Sequence, residues 1–159
     1  MKIMFKRVDT ASRQVRASAA TIYAAFASPY AMAAWLPPQG MKGTMLAFDF
    51  REGGRYRMRL TYQQPGHGSG KTTEDTDEVE VRFRRLVPDE RIEESVTFES
   101  EEPAFAGEMR IVWSLESNSK GTLVTVRCED VPEGIPADDH EDGLSSTLEN
   151  LAAFVERDR

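Results

Sequence analysis

A chain of 159 residues has the commonest size of a single domain and can bury roughly 68–70% of the surface that its unfolded form exposes. With 40% hydrophobic and 30% charged residues it has the composition of an ordinary soluble globular protein, and its formal charge of −7, with basic residues interleaved among acids, argues against nucleic acid as a partner. One cysteine, Cys128, permits neither an intrachain disulfide nor a cysteine-based zinc site. No apolar stretch of signal-peptide length opens the chain and no 18-residue apolar run lies within it, so a cytoplasmic protein with no membrane insertion is expected.

In chain order, a short strand is expected at about residues 12–17, and Ser18 then caps a helix through Thr21, Ile22, Tyr23, Ala25 and Phe26. That helix ends before Ser28-Pro29, and a second short one runs from Pro29 to about Trp35, with Pro37-Pro38 closing it. From Gly43 to Cys128 the apolar period becomes two, which predicts a run of antiparallel strands. Tyr56, Met58, Leu60 and Tyr62 alternate with arginines, as Val79, Val81 and Phe83 alternate with Glu and Arg. A turn at Val87-Pro88-Asp89-Glu90 leads to Ile92, Val96 and Phe98, and Met109, Ile111, Trp113 and Leu115 precede a second turn at residues 117–121. Thr122, Val124, Val126 and Cys128 give the last inward set, so one face of the sheet is apolar and the other charged. Leu144, Leu148, Leu151 and Val155, at steps of four, three and four, then form the apolar stripe of a long C-terminal helix capped by Asp138 or Asp139. The fold class is α+β, a single domain over residues 1–159 whose curved sheet grips that helix.

Glu94 stands out because the alternation that turns Ile92, Val96 and Phe98 inward turns this carboxylate inward too. The hairpin at Pro88-Asp89 suggests Phe83 opposite Glu94 and Arg85 opposite Ile92, with Arg85 a diagonal neighbour of Glu94. Since an unpaired buried carboxylate is costly, either Arg85 neutralises it, or it stays protonated, or water surrounds it; a bulge turning it out to solvent is the structural alternative. Gly53-Gly54 lacks the lysine and helix start of a phosphate loop and reads as a tight turn. His67 and His140 have no histidine partner at metal-binding spacing, so no metal and no cofactor are expected, and no nucleophile with a base is visible. Seven acids between Glu129 and Asp142 read as a solvated loop feeding a helix N-terminus.

The motifs Trp35-Leu36-Pro37, Arg51-Glu52-Gly53-Gly54-Arg55-Tyr56-Arg57, Gly121-Thr122 and Gly143-Leu144…Leu148…Leu151, in this order, resemble the heat-shock-protein-90 ATPase activator homologue family of the START-like (SRPBCC) superfamily. The resemblance implies a helix-grip fold of the Bet v type, six or seven strands around the last helix, with a deep apolar cavity between them. It departs in two respects. The separate N-terminal chaperone-binding domain of the family's eukaryotic co-chaperones is not expected here, and Gly143-Leu144 stands where a Gly-Trp pair often opens the last helix. The cavity lining expected from alternation and resemblance together is Trp35, Tyr56, Met58, Tyr62, Val81, Phe83, Arg85, Glu94, Val96, Met109, Ile111, Trp113, Leu144 and Leu148. Three functions follow as expectations. The first is a binding protein, monomer or homodimer, holding a small hydrophobic or amphipathic molecule such as a lipid. The second is a cyclase, hydrolase or lyase using Glu94 on an aromatic or polyketide-like substrate. The third is a chaperone- or stress-associated partner.

Overall fold

The computed structural model describes residues 7–62, 76–98 and 107–156. The His67 loop and the side chain of Phe98 lie outside the described residues. The described chain begins with β1 (Val8–Val15), α1 (Ala19–Phe26) and α2 (Pro29–Trp35). The strands β2 (Met41–Phe48), β3 (Arg55–Tyr62), β4 (Thr76–Val87), β5 (Arg91–Phe98), β6 (Gly107–Asn118) and β7 (Gly121–Glu129) follow, and α3 (Ala137–Glu156) ends the described chain. All neighbouring strands are antiparallel, in the order β1-β7-β6-β5-β4-β3-β2.

Local chemistry explains both short helices. The Ser18 hydroxyl accepts from the Thr21 N–H at 3.1 Å and the Ser28 hydroxyl from the Ala31 N–H at 3.1 Å, each satisfying a donor that the first helical turn leaves open. Pro29 occupies the first turn of α2, where its missing N–H loses no bond. At the other end of the chain, α3 starts at Ala137, so Asp138 and Asp139 sit in its first turn rather than at its cap, still facing the positive end of the helix dipole. Gly143 lies within this helix and does not open it.

The strands run longer than the alternation alone marks. β1 begins at Val8 because it zips along β7, from Val8 opposite Glu129 to Val15 opposite Thr122. Its polar outer residues carry no periodic apolar signal, so pairing across more than a hundred residues of chain decides its start. β6 likewise continues to Asn118, leaving a tight turn before Gly121.

On the inner face, Leu148, Leu151, Ala152 and Val155 of α3 join Val15, Val124, Val126 and Cys128 in one apolar core with the aromatic residues of α1, α2, β4 and β6. Burying a leucine such as Leu148 stabilises the fold by about 1.5–3 kcal/mol. Val79 keeps the inner-face parity of Val81 and lies opposite Met58, but it is exposed near the open end of β4.

Candidate functional site

The alternation of β5 carries Glu94 inward, and the carboxyl is only 2% exposed. It lies opposite Phe83 on β4 and Ile111 on β6. Two residues further along β6, on the same face, the Trp113 indole N–H donates to Glu94 Oε1 at 3.1 Å. Burial drives the carboxyl up to about 7, a rise that the Trp113 hydrogen bond partly offsets. The carboxyl is therefore poised near neutrality between its protonated and ionised forms.

Aromatic side chains surround this group. Trp113 packs edge-to-face on Phe26 and Trp35, with centroids at 5.0 and 6.0 Å, and Phe26 meets Trp35 at 4.9 Å. The Trp35 indole is anchored by donating to the Ala25 carbonyl oxygen at 3.0 Å, which ties α2 to α1. On the other side Tyr56 packs on Phe83 at 5.7 Å, and burial, reinforced by the charge of Glu94, pushes its phenol above its usual range. Cys128, also buried, is pushed up to about 12, chiefly by burial, which leaves it a neutral thiol.

Of the residues expected to line a cavity, Trp35, Tyr56, Met58, Val81, Phe83, Met109, Trp113 and Leu148 are buried in the apolar core with Glu94 close by. Val96, Ile111 and Leu144 pack against that core while partly exposed, and Tyr62 is half-buried at the end of β3, opposite Met41. Arg85 is the correction. A bulge between Phe83 and Arg85 shifts the β4–β5 register by one residue, so Leu86 faces Ile92 and Arg85 faces Glu93. The Arg85 side chain is 61% exposed on the outer face, so Arg85 does not neutralise Glu94, and Trp113 is the hydrogen-bond donor to that carboxyl.

Two buried carboxylates were not singled out from the sequence. Glu93, on the outer face of β5, receives the Arg91 Nε–H at 2.7 Å and a donor from Arg110, with Arg85 3.9 Å away. Burial alone would raise this carboxyl, but the hydrogen bonds from Arg110 and Arg91 outweigh it and hold Glu93 below the usual range. Asp9 is clasped by Arg7, whose Nη2 donates at 2.7 Å, while His140 Nδ1 lies 2.6 Å away; the Arg7 hydrogen bond leads in holding Asp9 low. Arg7 also donates to the carbonyls of Pro132 and Ile135, so this cluster joins β1 to the start of α3. The spacing Arg7-x-Asp9, which puts both on one side of an extended chain, was the available signal.

Among the described residues, no group of three His, Cys, Asp or Glu is placed to hold a metal ion, and no helix is long and apolar enough to cross a membrane. A depression of about 430 Å³ opens where Trp35, Pro37 and Pro38 meet Asn150 and Phe154 of α3. Asn150 Nδ2 donates to the Pro37 carbonyl at 3.3 Å across this junction.

A seven-stranded antiparallel sheet closed over a long C-terminal helix, with two short helices after the first strand, defines a helix-grip α+β protein of the START-like superfamily. Residues 16–156 match the family described as activator of Hsp90 ATPase homolog 1-like protein, and the chain belongs to that family. The crystal structure of protein CV1439 from Chromobacterium violaceum is 30% identical, covers 94% of this chain and 97% of its own, and superposes with a TM-score of 0.79. The solution structure of the AHSA1-like protein from Aeromonas hydrophila shares the fold at 15% identity and a TM-score of 0.74, covering 95% of this chain and 93% of its own. Protein MLL2253 from Mesorhizobium loti does so at 15% identity and the same TM-score, covering 95% and 98%. A comparison with curated proteins returned no match.

Proposed function

We propose that this protein is a single-domain cytoplasmic binder of a small hydrophobic or amphipathic molecule, held between the sheet and α3 with its polar group against Glu94. The observation that carries the reading is the Glu94 carboxyl, buried among aromatic side chains with the Trp113 indole as its recorded hydrogen-bond donor. Burying a carboxyl here carries a desolvation cost that a leucine filling the same space would not, which favours a role for the group beyond packing. The walls supply affinity through apolar burial, and the carboxyl orients the ligand, donating to an acceptor when protonated and accepting from a donor when ionised. The depression between Pro37 and Asn150 supports an entry path beside Trp35.

The test is titration with the neutral probe N-phenyl-1-naphthylamine, together with native mass spectrometry of freshly purified protein. Saturable, one-to-one enhancement of probe fluorescence that a Leu148→Trp substitution abolishes supports an interior site. Absence of saturable binding at any protein concentration overturns the reading.

A second reading, acid–base catalysis on an aromatic or polyketide-like substrate, is favoured by the same carboxyl standing near 7. Glu94→Gln separates the two: a carrier keeps its ligand with modestly altered affinity, whereas an enzyme binds and no longer turns over. A chaperone role rests on the family's name alone, and an unchanged Hsp90 ATPase rate at saturating protein eliminates it.

A further inference from the structure

The outer face of the sheet holds an arginine network with too few carboxylates. Arg57 and Arg59 share Glu78, at 2.6 and 3.3 Å, and Arg55 takes Glu80 at 2.8 Å. Arg84 reaches Glu108 at 3.3 Å and donates to the Ser95 hydroxyl at 2.8 Å, and Arg85, Arg91 and Arg110 converge on Glu93. Arg82, exposed between these pairs, makes no ion pair with a described residue. Among the described residues, seven arginines thus share four glutamates and Arg82 makes no ion pair, on a chain whose overall charge is −7; Glu129 and Asp130 also act on Arg110.

Each guanidinium carries five N–H donors in a fixed fork, so sharing one carboxylate between two or three arginines leaves donors directed at solvent. The paired side chains are about half exposed, and surface pairs of this kind contribute about 0–1 kcal/mol, so an incoming carboxylate can displace or join them at little cost. The network also surrounds a depression of about 530 Å³, bordered by Arg55, Arg57, Arg82 and Arg84 with Ser95 and Thr97.

We propose that this face of β3–β6 is a docking surface for an acidic polypeptide segment, whose carboxylates complete the arginine network around Arg82. Carboxylate forks match guanidinium forks bidentately, and the interleaved Glu78, Glu80 and Glu108 suit a segment of spaced carboxylates better than a continuous phosphate backbone. The surface lies across the sheet from Glu94, so it is independent of any interior ligand.

The test is fluorescence anisotropy of a short fluorescein-labelled Asp/Glu-rich peptide at low ionic strength, on the wild-type protein and two charge reversals. Wild type binds and loses affinity as salt rises. Arg82→Glu, which removes no ion pair seen here, weakens binding about tenfold, while Lys120→Glu at the β6–β7 turn, an equal change in net charge, alters it less than about twofold. Unchanged far-UV circular dichroism and an unchanged urea-unfolding midpoint establish that Arg82→Glu remains folded. No peptide binding by wild type, or equal weakening by both reversals, overturns the proposal. So does tighter binding of a labelled single-stranded oligonucleotide, or self-association of the protein that Arg82→Glu abolishes, which would give the face to nucleic acid or to a second copy.

Discussion

The Trp113 indole N–H meets Glu94 Oε1 at 3.1 Å inside the apolar core, two neighbouring strands each contributing one half of the contact. Because burial raises the carboxyl from 4.5 to about 7, the folded state holds a proton that the unfolded state releases. Between these values the native protein binds more protons than the unfolded chain, so stability falls as pH rises through that window and levels off above it.

Glu94→Gln, which keeps the shape and stays neutral, removes this dependence. Urea unfolding at pH 5 and pH 8 should show wild type losing up to roughly 3 kcal/mol between the two, with the variant losing clearly less. Equal losses in the two proteins would mean that Glu94 does not hold its proton in the folded state.

Glu93 behaves in the opposite sense. Its carboxyl is held low by Arg110 and Arg91, so the stability it confers is present above the unfolded value and lost as pH falls through the depressed folded one. Glu93→Gln should cost about 1.5–3 kcal/mol at pH 7, the range for hydrogen bonds to charged groups. The loss should shrink as pH falls below about 4, where protons bind first to this carboxyl in the unfolded chain and only at lower pH to the folded one. Thermal unfolding across pH 3–7 checks both the size and the trend.

Gly121 opens β7 with φ +131°, and a Cβ there would stand 2.2 Å from the Val15 carbonyl oxygen. Both the backbone conformation and the close approach of β1 exclude a side chain. Gly121→Ala should therefore destabilise the protein by about 2–4 kcal/mol, read as a lowered denaturation midpoint. A change below about 0.5 kcal/mol would show that β1 can move away freely.

Much of this protein is legible along the chain because the signals involved are local. Ser18, Ser28 and Pro29 place the two short helices; the leucine spacing from Leu144 to Val155 marks the face that α3 buries; the period of two assigns Glu94 to the interior. Tertiary structure alone decided what Glu94 meets there. A single-residue bulge after Phe83 reverses the face that Arg85 presents and pairs it with Glu93, while the β5–β6 register brings Trp113 to Glu94. Bulges and registers are settled by hydrogen bonding between whole strands, and an inserted residue leaves the periodicity on either side of it intact, so the residues near position 85 carry no local mark of the turn outward. The sharing of Glu93 by three arginines from three strands has the same origin: each charge is visible in sequence, but their convergence exists only once the sheet has formed.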